Sequence, residues 1–541
     1  ATTPDPSKWS EADASEDASQ WIAAGEVEYQ NHVNNKTWKL VEPKDAGGKK
    51  IYACRPVFKR KWLPADFDHP KGRIDKYKVR FTIAAFKHTM VHGIDFREKY
   101  AATPRWESTR LIFAAAAFYD FDTMLDDFVA YFLTAELEEG EDIFMEQPER
   151  FDDGSGRVCK LIKSLYGLPQ AHYHSNKRMV ETMKSKGVMP TKSDPAVFIV
   201  KNPGKMASAL MSVHVDDCLG AGTAGGIGKL RAAISSGFKS KKTDEPGLMC
   251  AVQVQRVRTK RWLKLNQEGY IMKLLQEQDM LDCNGVPTPI NKATVCLPRP
   301  TEESSEEEDV AARGKYQHIF GCLNWLATRT RPDLLFTVNF YARMLKTAGR
   351  RELSWIRNRP LRYLKATAKD GLVYSAGDRF EHNGACDADL AGDHQTSRST
   401  LGGFEKMGKY GLISNYSKLA RKVLTSVGHA ETESARMWCE RAHWTRTMLR
   451  EMGVEVAAPS TCQIDNAGVV AQAINSMSSA QAKHYRISQA SIKQYVADEE
   501  VRVQKVASAD NPADFFTKAL DRELFEKHKL TIMGPQDKPE P

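Results

Sequence analysis

No CxxC pair occurs among the ten cysteines, so the commonest zinc spacing is missing. Cys54, Cys159, Cys218 and the others read as reduced, partly buried thiols of an intracellular protein. No apolar run approaches the roughly 20 residues that a membrane span needs, and the first residues carry no secretory signal. Self-similarity at a period of about 20–50 residues is also lacking, which excludes a solenoid or propeller. Charge of neither sign dominates. The 78 Lys+Arg against 69 Asp+Glu leave a net charge of +9, which permits a phosphate-binding surface without demanding one.

With 41% hydrophobic and 27% charged residues, the composition is that of globular protein rather than of a disordered chain. A length of 541 residues exceeds one hydrophobic core, so two to four domains are expected. The first residue is Ala rather than Met, and the chain is expected to be a processed product or a piece of something longer.

Residues 1–19 are polar and acidic and read as a disordered entry segment. Helical and strand patterns alternate over 20–225, and 223–228 is a glycine-rich junction. Residues 226–300 mix a strand-like run at 249–257 with a helical one at 270–280. The run TEESSEEED opens a solvated acidic linker over 301–312. Over 313–370 the apolar residues Ile319, Leu323 and Leu326, then Leu334, Leu335, Val338 and Tyr341, recur at helical spacing. A second alternating region spans 371–530, and the tail 531–541 is predicted to be disordered.

Two sets of acidic residues stand out. Residues 209–220 read ALMSVHVDDCLG: Met211, Val213 and Val215 alternate on a predicted strand, and Asp216 and Asp217 follow before a glycine. Two adjacent aspartates would repel and desolvate each other in a closed core, whereas a turn exposes them and a hard divalent cation stabilises them. Residues 124–133, MLDDFVAYFL, again interrupt an apolar run with acid, at Asp126 or Asp127. An aspartate near Asp126 and the pair Asp216–Asp217 sharing one edge would hold two ions for an in-line displacement at phosphorus. The second set is dispersed: Asp387 in GACDADLAGDHQTSRSTLGGF, Glu431 and Glu433 in HAETE, Asp465 in TCQIDN and Asp514 in NPADFFTKAL. Spacing alone assigns these acids nothing beyond capping or surface roles.

Several strings, in order, resemble the reverse transcriptase of copia-type LTR retrotransposons. They are WIAAGEVEYQNHVNNKTWKLV at 21–41, KYKVR at 76–80, GIDF at 93–96, VCKLIKSLYGLPQA at 158–171 and YQHIFGCLNWLATRTRPD at 316–333. The resemblance implies an α/β (α+β) chain: a right-hand polymerase with fingers, palm and thumb, followed by a ribonuclease H-like domain with a mixed sheet and flanking helices. It implies fingers and palm over 20–225, palm end and thumb over 226–300, a helical thumb or connection over 313–370 and the ribonuclease H-like domain over 371–530. Asp126 matches the first catalytic aspartate, with Asp216 and Asp217 as the second carboxylate motif. Tyr131 matches the aromatic gate that excludes a ribose 2′-hydroxyl, Gln170 a residue packing near the incoming nucleotide, and Arg80 a triphosphate contact.

In the ribonuclease H-like part the match assigns Asp387, Glu433, Asp465 and Asp514. Glu431 competes with Glu433, which is preferred because Ser434-Ala435-Arg436 continues the helix behind it. His484, in a Lys-His loop, matches a product-release residue. Each site is implied to hold two Mg²⁺ ions, with Mn²⁺ as a substitute. Implied partners are RNA template, DNA primer, RNA–DNA hybrid and dNTPs, with protease or integrase segments in the same polyprotein and no membrane. Implied localisation is cytoplasmic, in a virus-like particle with nuclear passage. His214 stands where the family has Tyr, and Asp127 where it has Val, a costly charge if it faces the core. The competing class is a catalytically impaired, retroelement-derived nucleic-acid-binding protein.

Overall fold

The computed structural model describes residues 4–63, 73–84, 90–243, 247–377, 379–456, 458–474 and 485–536. The first large element is a six-stranded antiparallel sheet. Its centre is formed by β1 (Asp122–Phe128), β2 (Ala209–His214) and β3 (Asp217–Gly222), with β3 between the other two. Side chains alternate along each strand, and both faces are covered. Leu125, Leu219 and Ala221 pack toward helix α1 (Trp106–Phe118). Met124, Phe128 and Cys218 pack with Ile227, Leu230 and Ile234 of α2 (Ala224–Ser235). The expected glycine-rich junction at 223–228 is therefore the first turn of α2, capped by the Thr223 side chain accepting from the Gly226 N–H. A Cβ on Gly226 would lie 2.1 Å from the Ser208 carbonyl oxygen, so only glycine lets the helix start this close to the sheet.

The second large element is a five-stranded sheet. Its first strand, β4 (His382–Asp393), lies centrally. Arg398–Met407 and Leu412–Leu419 extend it antiparallel on one side, and β5 (Ser460–Ile464) and Val501–Lys505 run parallel on the other. Helix α3 (Val427–Glu451) packs across it through Ala435, Trp438, Cys439 and Ala442. A mixed sheet with flanking helices is the architecture expected for this part of the chain. One apolar core runs through both large elements, from Leu111, Leu210 and Leu219 to Phe404, Leu412 and Ile413. Arg110, 2% exposed, joins them by donating to the carbonyls of Ile413, Thr328 and Arg329 and to the Asn415 side chain.

Four boundaries differ from expectation. Residues 4–19 are packed rather than disordered: Trp9 is 3% exposed, and Asp5 and Asp17 bind the buried Arg60. The acidic linker ends early, because Glu307 starts a helix to Arg329 whose first-turn acids suit its N-terminal dipole and meet Arg350. Strand Gly371–Ser375 does not open the second sheet but pairs with Trp262–Asn266 in a smaller four-stranded one. In the tail, helix Arg522–Met533 reaches past 531, and the Gln536 side chain pairs with both backbone groups of Gly371. Asp514 lies in a short 3₁₀ turn, Pro512–Phe516.

Candidate active sites

At the end of the first sheet, β2 and β3 form a hairpin in which His214 faces Asp217 and Val215-Asp216 make the turn. Val215 has φ +60°, a left-handed conformation that is costly for a β-branched residue and tends to persist at functional sites. Asp217 lies opposite Asp127, and Cys218 opposite Asp126. Directly paired residues point to the same side of a sheet, so Asp127 joins Asp216 and Asp217 while Asp126 points the other way. The electrostatics agree. Burial raises the Asp127 carboxyl, and so do the charges of Asp216 and Asp217; Asp217 is likewise raised by burial and by Asp216.

Asp126 is fully buried on the α2 face, accepting from Ser240 Oγ at 3.1 Å, with Arg231 of α2 at 3.8 Å. The structure thus exchanges the expected roles: Asp127, not Asp126, stands with the hairpin pair, and the Asp127 charge, costly only if it faced the core, is on an exposed residue. Alternation carried the signal, since Met124, Asp126 and Phe128 share the apolar face.

Around this edge, Lys76, Lys78 and Arg80 lie at alternate positions of strand Arg73–Ile83, and the positive charges of Lys78 and Lys76 act on Asp127. Arg80 is half-buried with its guanidinium 5.0 Å from the Tyr166 ring centre. Tyr131 is not at the edge: it is 2% exposed, between Phe128 and Phe238. Its neighbour Phe132 is half-buried and meets Tyr166 and His172 edge-on; Asp216 in turn acts on His172. Gln170 is fully buried and donates to the Asp95 carbonyl at 3.1 Å, which makes it a support beneath the surface. Cys250 donates from Sγ to Asp217 Oδ2 at 3.5 Å, and burial with the Asp217 charge pushes its thiol up to about 12.

In the second sheet, the carboxylate oxygens of Asp387, Glu431 and Asp465 lie within 4.8 Å of one another. Asp387 comes from the central strand β4, Asp465 follows the end of its parallel neighbour β5, and Glu431 sits in the first turns of α3. Burial and the charges of Asp387 and Asp465 push Glu431 up to about 9. Burial raises Asp387 to about 6, an effect that Lys518 opposes. The Thr517 hydroxyl donates to Asp387. Asp514 reaches the cluster through Lys518, whose Nζ is 2.7 Å from Asp514 Oδ1 and 3.4 Å from Asp387 Oδ2.

Glu433, the expected glutamate, is on the outer side of α3, paired with Arg436 at 3.2 Å and accepting from Ser488. Two residues turn a helix by about 200°, so Glu431 and Glu433 cannot both face the sheet. Only Glu431 has buried Ala435, Trp438 and Ala442 at successive turns behind it, a helical spacing that the residue order alone displays. His484 lies outside the described residues. The acids left outside the site, Asp389 and Asp393, differ: Asp389 borders it, whereas Asp393 is bound by Arg299 at 2.5 Å and Arg343 at 3.4 Å.

The family described as reverse transcriptase (RNA-dependent DNA polymerase) matches residues 35–292. The chain is 32% identical over 520 residues to a retrovirus-related Pol polyprotein from transposon TNT 1-94 of Nicotiana tabacum, covering 95% of this chain and 38% of that one. It is 28% identical over 516 residues to the corresponding polyprotein from transposon RE1 of Arabidopsis thaliana, covering 95% and 34%. Among solved structures, a foamy viral protease-reverse transcriptase in complex with RNA/DNA hybrid aligns with 90% of this chain and 54% of its own, at 10% identity and TM-score 0.44. The chain thus spans little more than a third of the length of these curated relatives. Among the described residues, no helix is long and apolar enough to cross a membrane. Residues 35–292 match the reverse transcriptase family, and 95% of the chain aligns with retrovirus-related Pol polyproteins of plant transposons, the copia-type Pol that the sequence motifs resemble.

Proposed function

We propose that the chain is an RNA-directed DNA polymerase with ribonuclease H activity, acting at the two acidic clusters. The observation that carries this reading is the convergence of acids far apart in the chain into two separate places, Asp127 with Asp216 and Asp217, and Asp387 with Glu431 and Asp465. Both sets fit divalent cations. Every donor is a carboxylate oxygen, the choice of Mg²⁺ or Mn²⁺, and the carboxyls are raised by burial and by one another's charge, penalties that a cation relieves. Asp127, Asp216 and Asp217 would hold two ions at the first cluster; Asp387, Glu431, Asp465 and Asp514 surround the second. Bound there, such ions stabilise the charge developing in phosphoryl transfer and lower the pKa of an attacking hydroxyl or water.

The chain's own residues supply position. Lys76, Lys78 and Arg80 form a cationic row for the triphosphate of a dNTP. The gate against a ribose hydroxyl passes from Tyr131 to Phe132, whose ring is half-exposed beside His172. RNA template, DNA primer and RNA–DNA hybrid are the partners, held mainly through backbone phosphates, so affinity falls with salt. Protease and integrase segments of the same polyprotein and a cytoplasmic particle belong to this reading. A second reading, a hybrid-binding protein without chemistry, is favoured by one feature: the Cys250 thiol occupies an oxygen of Asp217.

Primer extension on poly(rA)–oligo(dT) with Mg²⁺ or Mn²⁺, beside cleavage of an RNA–DNA hybrid, separates the two. Extension lost in Asp216→Asn and cleavage lost in Asp465→Asn, each without the other, is the expected result. Tight hybrid binding with neither activity overturns the enzyme reading.

A further inference from the structure

The second cluster contains a cation of its own. Lys518 follows the Pro512–Phe516 turn, which packs against β4 and Arg398–Met407 and so aims the lysine stem back into the site. Its ammonium lies 2.7 Å from Asp514 and 3.4 Å from Asp387, with Asp389 also acting on it. Asp387 is therefore shared. On one side it meets Glu431 and Asp465 within 4.8 Å; on the other, Lys518 and Thr517 approach the same oxygen, Oδ2. The common aspartate thus borders two groupings of charge, and they differ in composition. Between Asp387, Glu431 and Asp465 three acids crowd together. Between Asp387 and Asp514 the crowding is relieved by the chain's ammonium.

Resting on the ribonuclease H reading above, we propose that Lys518 is the resident cation of the Asp387–Asp514 half of this centre, so that the centre takes up one divalent ion, at Asp387–Glu431–Asp465, rather than two. An ammonium is a compact point charge with three donors, and it occupies space that a second ion would need while giving the shared aspartate one positive charge in place of two. The alternative is a lysine that swings out on its flexible stem when ions arrive.

The test counts ions and does not depend on turnover. The full chain carrying Asp127→Asn, Asp216→Asn and Asp217→Asn, which silences the first cluster, is titrated with Mn²⁺ by calorimetry and read at saturation by electron paramagnetic resonance. With Lys518 in place, one ion per chain with an isolated-ion signal is expected. Lys518→Met, which keeps the stem and removes the charge, is expected to double the count to two and to give a spin-coupled pair. Lys518→Gln serves as the second variant should the methionine form melt early. Two ions bound with Lys518 present, or one ion in every variant, overturns the proposal. No ion in any form overturns the metal-centre reading itself, which distinguishes the two failures.

Discussion

Asp126 and Asp127 are one residue apart and project to opposite sides of β1, so Asn at each position separates architecture from chemistry. Asp126 is fully buried, with Ser240 Oγ at 3.1 Å and Arg231 at 3.8 Å. Asp126→Asn keeps the volume and one acceptor but strips the charge from the Arg231 contact. Charge-assisted bonds contribute about 1.5–3 kcal/mol, and Arg231 retains some solvent, so a loss of about 1–2 kcal/mol is expected. Since 1 kcal/mol moves Tm by about 2–4 °C in a domain of roughly 150–250 residues, melting should fall by about 2–8 °C. Primer extension measured well below that melt should persist. Asp127→Asn removes one of three mutually repelling charges from an exposed residue, so Tm should stay or rise slightly. Extension should nevertheless fall by about 10²–10⁴-fold, the equivalent of roughly 3–5 kcal/mol of lost transition-state stabilisation. The assay is differential scanning fluorimetry beside extension of one primer–template at fixed Mg²⁺. Lost extension at unchanged Tm in Asp126→Asn, with extension retained in Asp127→Asn, would refute the strand-face reasoning.

The same logic applies to α3. Glu431→Gln should abolish hybrid cleavage without lowering Tm, whereas Glu433→Gln, which only loosens Arg436 and Ser488, should leave cleavage within about threefold; the opposite pattern restores Glu433 as the functional glutamate. Away from both clusters, Glu405 is 1% exposed and burial pushes its carboxyl from 4.5 up to about 8, with Arg441 opposing and Glu107 adding to the shift. His382, 3.5 Å away, is pushed down to about 3 by burial and by Arg446, so it stays neutral above that pH. A carboxyl raised in the folded state favours folding most when protonated. Its contribution is therefore complete below pH 4.5 and drains away as pH rises toward about 8, at up to roughly 1.4 kcal/mol per pH unit. Glu405→Gln should flatten the pH dependence of urea unfolding over that window, and parallel curves for the two proteins would exclude the assignment.

Much of the architecture was legible in one dimension because it is periodic. The alternation at Met211, Val213 and Val215 and the helical spacing at Ile319, Leu323 and Leu326 report local geometry that the backbone imposes wherever the chain goes. The helix lies where its period falls, and the strand holds Met211 and Val213 but ends at His214, which leaves Val215 in the turn. Which acid of each candidate pair faces its cluster was legible in the same way, from Met124 and Phe128 flanking Asp126 and from Ala435 and Trp438 behind Glu431, but only when period is given more weight than motif.

Other features had no local sign. Residues 4–19 look disordered by composition, yet Trp9 and Asp17 find Phe58 and Arg60 across the chain. The strand at Gly371 pairs back to Trp262–Asn266 rather than forward. Nothing near Lys518 in the sequence announces Asp387, 131 positions earlier, as its neighbour at 3.4 Å. The residue types and their periods were set by the sequence alone. Tertiary structure decided which distant charges meet, because that depends on strand pairing and on which faces the shared core turns inward, and neither is encoded within any one segment.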